Sequence, residues 1–73
     1  MDKQILIDIV NVKMPFGKYQ GQYLSDLPVS YLEWFNRKGF PPGKLGMQLS
    51  TLLEIKSNGL SEILAQLKRE YRK

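Results

Sequence analysis

Met14-Pro15-Phe16-Gly17-Lys18-Tyr19-Gln20-Gly21-Gln22-Tyr23-Leu24 is the stretch on which the fold turns. Gly17 and Gly21 bracket Lys18-Tyr19-Gln20, with Phe16 before them and Tyr23 and Leu24 after. Glycine accepts the positive φ that a reversing chain needs, and apolar arms on either side of such a reversal read as a short β-hairpin. The other segments carry helical patterns. The expected class is therefore α+β: one small domain over residues 1–73, a short β-hairpin packed against about four helices.

Upstream, residues 3–12 are rich in β-branched side chains, which suggests a strand. The polar positions decide otherwise. Gln4, Asp8 and Asn11 recur at spacings of four and three, one stripe on a helix, where a half-buried strand places polar residues alternately. Asp2 is the expected N-cap, and Pro15 explains why no helix continues past Lys13.

Downstream, Ser25-Asp26-Leu27-Pro28 opens a second helix, since proline is tolerated in a first turn. Leu27, Tyr31, Leu32, Trp34 and Phe35 fall within an arc of roughly 160°. Leu32 and Phe35 are expected in the core, Trp34 only partly covered, and Gly39 at the helix end. Phe40-Pro41-Pro42-Gly43 is a rigid connector. A third helix follows from about Lys44 to Ser57, with Leu45, Leu49, Leu52 and Leu53 as its buried stripe and Ile55 to one side. Gly46 costs helix propensity there, which suggests a close approach by another helix. Asn58-Gly59 closes the third helix. A fourth, from about Leu60 to Tyr71, carries Leu60, Ile63, Leu64, Leu67 and Tyr71 on one face. The two should form an αα-hairpin about Asn58-Gly59.

Composition limits what such a domain does. The chain has 73 residues, is 42% hydrophobic, and contains no cysteine and no histidine. A domain of this size buries only about 60% of its unfolded surface. Without cysteine or histidine there is no disulfide, no Cys- or His-based zinc site, and no Ser-His-Asp or Cys-His chemistry within this chain. A metal nuclease needs only carboxylates, but Asp2, Asp8, Asp26, Glu33, Glu54, Glu62 and Glu70 are scattered and include no Asp-x-Glu pair. No enzyme activity, cofactor or metal is expected. The N-terminal segment Ile5-Leu6-Ile7-Asp8-Ile9-Val10 is short, carries Asp8 in its middle, and lacks the features of a signal peptide. Nothing approaches the ~20 apolar residues of a membrane span. A cytoplasmic protein with no membrane partner is the expectation.

The net charge of +4 is uneven. Residues 1–36 hold three basic and four acidic residues, a net of −1; residues 37–73 hold eight and three, a net of +5. The tail Lys68-Arg69-Glu70-Tyr71-Arg72-Lys73 supplies four of those eight, and such an end reads first as a solvated helix terminus favoured by the dipole. Five of the other cations, Lys13, Lys18, Arg37, Lys38 and Lys44, cluster around the expected hairpin, the end of the aromatic helix and the connector.

Two clusters carry candidate chemistry. In Phe16-Gly17-Lys18-Tyr19-Gln20-Gly21, glycines expose backbone N–H groups beside Lys18, a way to hold a phosphate, and Tyr19 can stack on a base. It is not a Walker A loop, and on residue types alone a simple turn is the favoured reading. In Tyr31-Leu32-x-Trp34-Phe35, aromatics stand near Arg37 and Lys38, a combination suited to single-stranded nucleic acid. The candidate nucleic-acid site, for DNA or RNA, is Lys13, Lys18, Tyr19, Trp34, Arg37, Lys38 and Lys44, with the basic tail assisting. The alternative is a protein-interaction or self-associating, homodimeric module, since a short chain with several apolar stripes can complete its core with a partner.

Lys13-Met14-Pro15-Phe16-Gly17-Lys18-Tyr19-Gln20-Gly21, followed by Leu24-x-Asp26-Leu27-Pro28-x-x-Tyr31-Leu32-x-Trp34-Phe35, resembles a family of small bacterial proteins of unknown function, of the quorum-sensing-regulated virulence factor type. Lys38-Gly39-Phe40-Pro41-x-Gly43-Lys44-Leu45-Gly46 and Glu54-Ile55-Lys56-x-Asn58-Gly59-Leu60 share the likeness, which covers about residues 5–67. The family label is a regulatory association and implies no mechanism. The shorter part from Phe16-Gly17-Lys18-Tyr19-x-Gly21 to Tyr31-Leu32-x-Trp34 also resembles a module at the C-terminus of some DnaQ-like 3′–5′ exonucleases. There a separate domain supplies the catalytic acids, so the resemblance implies at most an accessory role near nucleic acid on Lys18, Tyr19 and Trp34. Gln20 stands where that pattern has a basic residue.

Overall fold

The computed structural model describes residues 3–72. Asp2, the expected N-cap, and Lys73, the last residue of the basic tail, lie outside them. The elements are α1 (Lys3–Asn11), a 3₁₀ turn (Leu24–Asp26), α2 (Val29–Lys38), α3 (Gly43–Ser57) and α4 (Ser61–Tyr71). Among the described residues there is no strand and no sheet. The α+β class is therefore overturned, and the fold is all-helical.

The expected hairpin fails for a specific reason. Its arms do meet: Met14 N–H donates to Gln22 O at 2.7 Å and Leu24 N–H to Val12 O at 3.0 Å, around one antiparallel bridge, Lys13 to Tyr23. On one side the ladder stops because Val12 still donates to Asp8 O at the end of α1 and Leu24 already begins the 3₁₀ turn. On the other, Gly21 at φ +90° gives its N–H to Met14 O, and two overlapping turns, Gly17 to Gln20 and Tyr19 to Gln22, consume the remaining residues. The glycines reverse the chain as expected, but too early for a second rung.

Ile9, Met14, Leu24, Leu27, Leu32, Phe35, Leu49, Leu52, Ile55 and Leu64 form one buried cluster. α1 is the hub, packed against α3, α4 and the 3₁₀ turn, while α2 packs on α3. α3 and α4 do not pair along their length, so the expected αα-hairpin is replaced by an α1–α4 pairing. The Asn58-Gly59 stop itself is as expected: Gly59 at φ +70° donates to Lys56 O, and Leu60 N–H reaches back to Ile55 O at 3.0 Å, a Schellman closure. Leu60 and Ile63, expected on the buried face of the fourth helix, are exposed, and only Leu64 of that stripe is fully buried.

The face of α3 is rotated from the expected one. Gly46, Gln48, Leu49, Leu52 and Ile55 are buried, while Leu45 and Leu53 are half-covered. Gln48 takes its place by donating to Asp8 of α1 at 3.4 Å. The close approach at Gly46 is made by the backbone of Pro41 in the connector rather than by another helix. Lys56 donates to Leu27 O at 2.6 Å, and burial, with Lys68 pushing the same way against the opposing pull of Asp26, holds its ammonium below the ordinary lysine value.

Candidate nucleic-acid interface

The loop after α1 and the exposed side of α2 enclose an open groove of about 540 Å³ lined by Phe16, Gly17, Lys18, Tyr19, Ser30, Tyr31, Trp34 and Phe35. The wall is aromatic. Tyr19 meets Tyr31 edge-on at 4.7 Å between centroids, and Phe35 packs edge-on against Tyr31 at 5.0 Å and Trp34 at 5.1 Å. The Tyr31 and Trp34 rings lie within 3° of parallel, 6.4 Å apart. Phe35 is buried and anchors the wall to the core, and Phe16 and Phe40 both touch it. Trp34 is 44% exposed, so much of its ring faces solvent, as its position at the edge of the arc led us to expect. Burial, with Tyr19 alongside, pushes the Tyr31 phenol up, so it is a neutral hydrogen-bond donor at ordinary pH.

The backbone explains how two separate segments share this groove. Gly17 has φ +80°, and a Cβ built on it would stand 2.9 Å from the Tyr31 hydroxyl. A residue with a side chain there would be strained by the positive φ and would require the tip of Tyr31 to shift. Lys18 then sits at the rim with its ammonium 5.6 Å from the centroid of the Tyr19 ring.

Of the residues named from the sequence, Lys18, Tyr19 and Trp34 are brought together in the groove. Arg37 and Lys38 are exposed in the last turn of α2, three and four positions after Trp34, and so continue its face of the helix. Lys44 is exposed in the first turn of α3, across the connector, and does not line the groove. Lys13 is elsewhere, its ammonium 5.5 Å from the centroid of the Tyr23 ring. Phe16, Ser30, Tyr31 and Phe35 line the groove without having been named for the site. Their signal was partly visible: Tyr31 stands three residues before Trp34 on one helix, and Phe16 three before Tyr19 in the glycine loop.

The basic tail is not simply solvated. Lys68 pairs with Asp26 at 2.6 Å, and Arg72 donates to Val10 O and to Ser25 Oγ, each at 3.1 Å. Among the described residues no group of three acids is arranged to hold a metal ion, and no helix is long and apolar enough to cross a membrane.

The family model described as "Putative quorum-sensing-regulated virulence factor" matches residues 2–67, which include every residue of the groove. The chain belongs to this family. Two relatives, the Uncharacterized protein YpeB of Escherichia coli (strain K12) and the protein of the same name in Escherichia coli O157:H7, are each 53% identical over 70 residues. The match spans 94% of this chain and 97% of each relative. No solved structure matches this chain. The family match reaches across the glycine loop and α2 alike, so the two halves of the groove fall within one family pattern.

Proposed function

We propose that this domain is a non-catalytic nucleic-acid-associated module that takes single strands of DNA or RNA along the aromatic groove. One observation carries the reading: Lys18 and Tyr19 from the loop and Trp34 from α2 line one open groove. Aromatic faces accept any base, and only unpaired bases offer theirs, so the arrangement favours single strands over duplex. Lys18 at the rim and Arg37 and Lys38 beyond Trp34 supply positive charge for the phosphates.

Trp34 is the single tryptophan of the chain, so its fluorescence reports on the groove directly. Titration with single-stranded DNA and RNA at low salt should quench it, with duplex weaker. With Lys18, Arg37 and Lys38 engaged, log affinity should fall against log salt with a slope of about −2, and Lys18→Ala should reduce that slope by about 0.7. Absence of salt-sensitive binding to any of these strands overturns the reading.

A second reading, self-association, has its own observation. Leu60 and Ile63 are exposed close together at the start of α4, and Met47 is exposed on α3. Light scattering over a concentration series decides: a molar mass that rises with concentration favours it, and a constant monomer mass removes it.

A further inference from the structure

The groove has two chemically different ends. At the α2 end Trp34 offers an aromatic face. At the loop end, Gln20, Gly21 and Gln22 spend their N–H groups on Gly17 O, Met14 O and Tyr19 O, whereas the N–H groups of Gly17, Lys18 and Tyr19 donate to no group among the described residues. The Tyr31 hydroxyl lies directly against Gly17 and has no hydrogen-bond partner among them either. Unspent backbone donors, a phenol donor and an ammonium are therefore carried by residues that line one end of the groove, with no carboxylate among them. That is a donor set for an anion with several oxygens. The absent Cβ of Gly17 is what lets the Tyr31 hydroxyl come this close to the loop backbone.

We propose that the loop end of the groove is a phosphate subsite, so that the groove takes one nucleotide unit with its phosphate on Lys18, the Tyr31 hydroxyl and the Gly17–Tyr19 N–H groups, and its base against Trp34. This rests on the nucleic-acid reading and sharpens it. The groove would then be more than a diffuse cationic surface, because the phosphate and the base are read at separate, fixed places. Lys18 would act through charge, and Tyr31 through a single directed hydrogen bond.

Trp34 fluorescence tests this with thymidine and thymidine 5′-monophosphate. The monophosphate should half-saturate at a concentration at least tenfold below that of thymidine, and inorganic phosphate should compete with it. Lys18→Ala and Tyr31→Phe should each cut that advantage, taken as the ratio of the two half-saturation concentrations within each variant, to threefold or less. Tyr31→Phe keeps the ring and removes only the hydroxyl, so the groove stays folded. Equal response to the two ligands, or an advantage that both variants preserve, overturns the subsite. So does phenyl phosphate quenching as strongly as the nucleotide, since the base would then not be read. Salt-sensitive binding of oligonucleotides without a phosphate advantage overturns the subsite alone and leaves the wider reading standing. No response to oligonucleotides at all overturns both.

Discussion

Gly46→Ala is expected to destabilise the fold by about 3 kcal/mol, the reverse of what the same change does in most helix interiors. Alanine is the better helix former by about 1 kcal/mol, so an open site would gain. At Gly46 the added Cβ would stand 1.8 Å from Pro41 O and 3.0 Å from Pro41 C. Both are backbone atoms, in a connector held by two successive prolines and by Phe40, whose ring stacks on Phe35 at 6.3 Å. Nothing there yields cheaply. The connector must lift, which loosens the α2–α3 corner and the Phe35 anchor of the aromatic groove. Urea denaturation measures the effect, with Gly21→Ala as the reference. Gly21 has φ +90° but open space around its Cβ position, so its cost is the left-handed backbone alone, about 1–2 kcal/mol. A Gly46→Ala midpoint equal to or above that of the unaltered protein would refute the account.

Gly46 also shows what the sequence could and could not tell. The residue is legible as an oddity in a leucine-rich helix, and its close contact is legible as the reason. Which neighbour makes the contact is not, because that depends on how sharply the connector folds back. The same division recurs. The polar stripe of Gln4, Asp8 and Asn11 identified α1 because helical spacing is a property of the segment itself. The hairpin was misjudged because glycine-rich reversals look alike whether one rung or several follow, and the rung count here depends on helices adjoining both arms. The stripe on α4 misled for a related reason. Periodicity gives a face, but α4 docks on α1 and leaves Leu60 and Ile63 uncovered. In the candidate site, Lys18, Tyr19 and Trp34 were legible as residue types, and the Tyr31 hydroxyl against Gly17 was not, since it joins segments fourteen positions apart.

The second large effect lies at the other end of the molecule. Arg72→Ala should cost about 2 kcal/mol, from charge-assisted hydrogen bonds and a cation–π contact. Arg72 follows the last turn of α4, and its Nε donates to Val10 O, one of the terminal carbonyls of α1 that no later helical N–H can satisfy. Its guanidinium lies 3.9 Å from the centroid of the Tyr23 ring, donates to Ser25 Oγ, and stands 3.8 Å from Asp26. One side chain thus caps α1, grips the 3₁₀ turn and covers the arm of the failed hairpin, with its charge placed favourably at a helix C-terminus. Asn11 adds a bond in the reverse direction, donating to Tyr71 O at 2.9 Å. Lysine cannot replace this fork, because one ammonium does not serve Val10, Ser25 and the Tyr23 face together, so Arg72→Lys should recover less than half the loss. Lys68→Ala should cost far less, about 0.5 kcal/mol, since its pair with Asp26 is partly exposed. Urea denaturation ranks the three, and hydrogen exchange should show the α4 amides opening first in Arg72→Ala. A loss under about 0.5 kcal/mol for Arg72→Ala would sink the capping account. The same assignment bears on the groove. If Lys68 and Arg72 are spent on the fold, they contribute little to nucleic-acid affinity, and a folded Arg72→Ala protein should bind single strands with an unchanged salt slope while Lys18→Ala does not.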